Sequence, residues 1–97
     1  FMSDIKNTKP SIIVEKINND QYKVEVKHNS SSVHIVSLSP ATYSKISNNI
    51  ITPEKLIYVS FIFLMERESN ESILSNFNLE IIQNYFPEYL SKIKSYF

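Results

Sequence analysis

One arginine, Arg67, stands between Glu66 and Glu68 in a chain of 97 residues that otherwise carries its positive charge on lysine. A guanidinium forks onto carboxylates and phosphates, so this triplet is where recognition of an anion would begin. Two readings are open. Arg67 pairs within the chain, with Glu71 one turn on or with Glu88 from an element packed beside it, or it binds a foreign carboxylate or phosphate. Local pairing is the expectation. Acidic residues sit poorly at a helix C-terminus, where the dipole favours cations. Glu66 and Glu68 are therefore expected to have partners, intramolecular or foreign.

The second constellation is aromatic: Tyr85, Phe86, Pro87, Glu88 and Tyr89 surround a helix break. Tyr and Phe serve well as docking anchors, and they serve equally as a lid over an apolar helix. The lid is the preferred reading. His28 and His34 are the only histidines. Two ligands without a spaced carboxylate do not make a zinc site, so both are expected as partly exposed strand residues. Lys23 and Lys27 share a strand face with Glu25, and no exposed aromatic lies between them for base stacking. No nucleophile–base pair and no spaced carboxylate couple appears.

Composition narrows the classes further. The chain has no Cys, which removes disulfides, thiolate zinc sites and a Cys nucleophile, and no Gly, which removes most phosphate-cradling loops. Net charge is zero, with ten basic and ten acidic residues, so the chain is not built to coat nucleic acid or an anionic membrane. Neither cofactor nor metal is expected, and the protein is not expected to be an enzyme. Phe1 precedes Met2, where a natural chain would begin, and is set aside. Residues 2–10 read as a polar tail, so residues 1–10 are expected to be disordered and residues 11–97 to form one domain. The longest apolar run, residues 56–65, gives about 15 Å of helix, half a bilayer core. A cytoplasmic location is the expectation.

The elements that must hold these residues are legible from periodicity. Tyr22, Val24 and Val26 alternate with Lys23, Glu25 and Lys27, the pattern of a half-buried strand. Residues 11–17 and 32–38 flank it with β-branched side chains. A three-residue turn at Asn18–Asp20 would set Val14 opposite Val24, Ile12 opposite Val26, and Glu15 opposite Lys23. The second turn is compatible with two or three residues. Ser39-Pro40 and Thr52-Pro53-Glu54 each open a helix. The second helix should run to about Glu68 and stop at a left-handed Asn70. It is apolar almost all round from Leu56 to Met65 and must be covered all round, by its own fold or by a second copy. Helices over residues 71–77, 78–86 and 88–96 follow, the last with Leu90, Ile93 and Phe97 on one stripe. The predicted fold class is α+β: a three-stranded antiparallel β-meander followed by a buried central helix and short C-terminal helices.

From Thr52 onward the motifs TPEKL (52–56), SFIFLMERES (60–69), SIL (72–74), FNL (77–79) and YFPEY (85–89) stand in order. This half of the chain resembles a family of small uncharacterised proteobacterial proteins with the pattern TPEEL, SFxFLLEREP, SIL, F-x-L and YFPEY. Ser69 replaces the family's usual Pro. The resemblance implies a bacterial source and no assigned activity.

The expected function is a non-enzymatic protein–protein interaction module acting as a homodimer with an unknown partner. Its expected binding or interface residues are Glu66, Arg67, Glu68, Tyr85, Phe86, Glu88 and Tyr89. The alternatives are a weak RNA- or ribosome-associated factor using the Lys23/Lys27 face and a small anionic-ligand binder at Arg67.

Overall fold

Period-2 alternation becomes sheet where the sequence predicts it. The computed structural model of the protein describes residues 10–97, so the expected tail lies, apart from Pro10, outside the described residues. Strand β1 (Ser11–Lys16) pairs antiparallel with β2 (Gln21–Lys27), with Ile12 opposite Val26, Val14 opposite Val24 and Glu15 opposite Lys23. The turn is closed by Asn18 Oδ1, which accepts from the Asp20 N–H at 3.0 Å. Strand β3 (Ser31–Ser37) pairs antiparallel with β2 through a three-residue turn, setting His34 opposite Val24 and Lys27 opposite Ser31. That turn begins at His28, one residue before the predicted position.

The meander is not the whole sheet. A short fourth strand, β4 (Asn76–Asn78), lies parallel to β3, with Phe77 beside Val36. The expected helix over residues 71–77 is therefore replaced by a 3₁₀ turn (Asn70–Ser72) and this strand. The Ile35 N–H bonds the Ser75 carbonyl at 2.8 Å, so the segment satisfies the open edge of β3, which a surface helix could not do. The α+β class stands, with a mixed four-stranded sheet.

Helix α1 (Pro40–Ser47) is capped by Ser39, whose hydroxyl accepts from the Thr42 N–H at 3.2 Å. It closes on Asn48 and Asn49 at φ 54° and 60°, the only positive values among the described residues. Without Gly, Asn is the residue that tolerates this conformation best. Helix α2 (Pro53–Met65) starts at Thr52, whose hydroxyl accepts from the Lys55 N–H, and carries Glu54 in its first turn. It ends at Met65, short of the predicted Glu68: the Arg67 N–H bonds the Leu64 carbonyl three residues back, while the Phe63 carbonyl it would meet in an α-helix accepts from Arg67 Nη1. Asn70 is not a left-handed stop; it is buried and bonded.

Helix α2 lies against the inner face of the sheet. Leu56, Ile57, Phe61 and Phe63 are fully enclosed, each worth about 1.5–3 kcal/mol of burial. The chain covers most of the helix by itself: one flank, Tyr58, Ile62 and Met65, stays open or half-open. That corrects the expectation of cover on every side.

The C-terminal layer consists of a 3₁₀ turn (Leu79–Ile81) leading into α3 (Ile82–Tyr85), then α4 (Tyr89–Lys92) and a last 3₁₀ turn (Ile93–Tyr96). Asn78 caps the first of these through the Glu80 N–H, as its residue type predicts. The buried stripe of the last helix is Tyr89 and Ile93, four apart; Leu90 and Phe97 are half-buried. The outer face of the sheet leaves Ile13 and Val33 half exposed around Lys23 and Glu25.

Candidate functional site

The seven predicted interface residues converge at the C-terminal end of α2. Arg67 donates from Nε to Glu88 Oε2 at 3.1 Å and from Nη1 to the Phe63 carbonyl at 2.9 Å, with Glu66 Oε1 at 3.4 Å. Its guanidinium lies 3.6 Å above the Phe63 ring. Burial pulls the Arg67 pKa down, but the hydrogen bonds to Glu88 and Tyr96 outweigh it and raise it overall. Glu88 is held below the usual carboxylate range by its own backbone hydrogen bond and then by Arg67. The Tyr96 hydroxyl donates to Glu66 Oε1, which raises its own pKa. Arg67 is thus a clamp between the end of α2 and the C-terminal layer. Of the two predicted partners the structure places Glu88 against it, not Glu71.

The YFPEY cluster divides. Tyr89 is fully buried, edge-on to Phe63 at 5.3 Å between centroids, and its hydroxyl lies 2.7 Å from Ser60 Oγ. Phe86 packs edge-on against the same ring at 6.0 Å. These two form the lid. Tyr85 points outward, 62 % exposed.

Beside Tyr85 runs a groove of about 140 Å³, with Leu64, Ile73 and Phe77 in its lining and Leu74 and Glu68 alongside. Glu68, half-buried, is the only charged residue lining it. Unlike Glu66, its carboxylate has no partner among the described residues. A second depression of about 390 Å³ follows the open flank of α2, lined by Pro10, His28, Tyr58, Ile62, Met65 and Glu66.

One polar relay is not foreshadowed by the residue pattern. Asn70 Nδ2 donates to Ser32 Oγ at 2.9 Å and to the Ser30 carbonyl at 3.2 Å. Ser32 Oγ lies 2.8 Å from His34 Nε2, and His34 Nδ1 donates to the Leu74 carbonyl at 2.7 Å. The carbonyl can only accept, so in the neutral ring Nε2 accepts from the Ser32 hydroxyl. By distance this is a nucleophile–base pair, contrary to expectation. Its surroundings are structural: His34 is buried under Phe61 at 5.3 Å, and Ser32 lines neither groove. The relay ties residues 70–74 to β3. Ser32 and His34 stand two apart on one strand and so share a face, which is the signal that was available. His34 is therefore a core residue, while His28 lies exposed just beyond β2.

Lys23 pairs with Glu25 at 3.8 Å and sits opposite Glu15, so this face offers no unbroken basic strip. Among the described residues no cluster of three or more His, Asp or Glu side chains could hold a metal, and no helix is long and apolar enough to cross a membrane. No protein-family model, curated protein or solved structure matches the chain.

Proposed function

We propose that the chain is a non-enzymatic protein–protein interaction module that acts as a homodimer in the bacterial cytoplasm, akin to the small proteobacterial proteins its motifs resemble. The observation that carries the reading is a coincidence of two incomplete borders. Strand β1 is an edge of the sheet among the described residues, and α2 packs against it with Tyr58 exposed and Ile62 and Met65 half-buried. Such edges invite pairing unless they are blunted. Here Glu15 and Lys16 charge only the far end of β1.

Backbone geometry suggests the register. The Ile17 N–H bonds the Gln21 carbonyl, so odd-numbered residues of β1 bond β2 and even-numbered ones point outward. Antiparallel pairing of two β1 strands would exchange bonds between Ile12 and Val14 of the partner subunit. It would set Ile13 against the partner's Ile13 on the outer face. A register shifted by two residues sets Ile13 against the partner's Glu15 instead, a poorer match. The pairing is self-complementary, as a two-fold interface requires.

Light scattering on the eluting protein at tens of micromolar tests it. The native chain is expected at twice its 11.3 kDa. Ile13 is 54 % exposed, so Ile13→Lys leaves the fold intact while placing two ammonium groups face to face, and it is expected to elute as monomer. A monomeric native chain, or an unaffected I13K dimer, overturns the reading.

A further inference from the structure

The groove beside Tyr85 has no residue of β1 in its lining, and its chemistry is specific. Its lining is apolar except for Ser72 and Glu68, and Glu68 is a half-buried carboxylate with no partner among the described residues. Arg67, the nearest cation in sequence, is already committed to Glu88, Glu66 and the Phe63 carbonyl. Glu68 also lies just past the C-terminal end of the 13-residue α2, Met65, near the negative end of the helix dipole. A largely apolar groove whose lining holds one carboxylate without a partner among the described residues calls for a cation on an apolar stem.

Size decides what carries that cation. Small-molecule and cofactor pockets run to roughly 300–1,000 Å³, whereas this groove measures about 140 Å³, the room of one long side chain. Tyr85, 62 % exposed, lines it together with Phe77 and Phe86. A guanidinium stacks on aromatic faces and forks onto a carboxylate, and an ammonium does neither as well. We propose that this groove receives an arginine side chain from a partner protein, its stem along Leu64 and Phe77, its guanidinium on Glu68 and against Tyr85. The proposal rests on the interaction-module reading and adds the chemistry of what the module holds.

The test is a titration of the isotope-labelled full chain with the capped peptide acetyl-Ala-Leu-Arg-Leu-Ala-amide, followed by amide shifts. The same peptide with citrulline or lysine in place of arginine provides the comparison. Saturating shifts at Leu64, Glu68, Leu74 and Tyr85 are expected for the arginine peptide, with affinity at least tenfold weaker for the other two. Glu68→Gln, at a partly exposed and unbonded position, is expected to lose the same tenfold without lowering the melting temperature. Arginine and citrulline peptides binding alike would make the groove merely apolar and overturn the proposal. A lysine peptide of equal affinity, or no shifts at millimolar peptide, would also overturn it. The monomeric I13K chain is titrated in parallel: unchanged groove shifts there separate loss of self-association from loss of this site.

Discussion

Ser60 Oγ and Tyr89 OH lie 2.7 Å apart, both buried, and join the middle of α2 to the start of α4 across 29 residues of sequence. Ser60 spends its own hydrogen on the Leu56 carbonyl at 2.7 Å, so Tyr89 is the donor between them. The two partners are therefore not equivalent. Tyr89→Phe leaves Ser60 still bonded to Leu56, and a loss of about 1 kcal/mol is expected. Ser60→Ala strands a buried phenol donor, and about 1–3 kcal/mol is expected. Thermal denaturation of both variants checks the order. Equal losses would contradict the assignment of the donor.

The same phenol makes stability depend on alkali. Burial raises the Tyr89 pKa to about 12. The folded value lies above the ordinary 10, so the stability linked to it is complete below pH 10 and is lost as pH rises toward 12. About two pKa steps correspond to roughly 2–3 kcal/mol. Tyr22, raised by burial and then by Glu54, and Tyr96, raised by its bond to Glu66, act in the same direction. Urea midpoints measured from pH 9 to 12 are expected to fall for the native chain and to fall less for Tyr89→Phe.

Arg67 behaves as a clamp. Arg67→Lys removes the fork that reaches Phe63 and Glu88 together, and about 1 kcal/mol of stability is expected to go with it. Glu88, with its pKa depressed in the fold, supports stability above the ordinary carboxylate range; that support disappears as pH falls through the depressed value. Glu88→Gln is expected to flatten this acid limb, as read by melting temperature between pH 2 and 6. An unchanged acid limb would mean the pair contributes nothing.

How far the residues announced this depends on whether the cause was local. The first hairpin was legible because alternation, an Asn-Asn-Asp turn and the Glu15–Lys23 pair all demand one register. Glu88 was legible as a partner of Arg67 because charge complementarity leaves few choices. β4 was not: Asn76-Phe77-Asn78 has one apolar residue, and what makes it a strand is the unfilled edge of β3, forty residues earlier. His34 was hidden because residues 32–38 carry β-branched side chains on both faces, which blurs inside from outside. The Glu68 groove was hidden for a similar reason, since Leu74 and Tyr85 meet only after the chain has turned through β4 and α3.

Asn70 shows what such a non-local residue does. Its amide holds Ser32 and Ser30, and the relay passes through His34 to Leu74. Asn70→Leu is expected to cost about 1–3 kcal/mol by orphaning buried polar groups. The amide of Ile35, bonded to the Ser75 carbonyl, is expected to exchange faster in that variant, because the segment it holds is released. Exchange unchanged at Ile35 would detach the relay from the strand.

Amide exchange along β1 tests self-association most directly. In a lone chain the Ile12, Val14 and Lys16 amides point away from β2 and exchange at open-edge rates, while Ile13 and Glu15 are protected by β2. A second copy docked on this edge protects the even-numbered amides as well, and dilution removes that protection. The prediction is slow, concentration-dependent exchange at Ile12, Val14 and Lys16. Fast exchange at all three, unchanged from micromolar to millimolar protein, would contradict it.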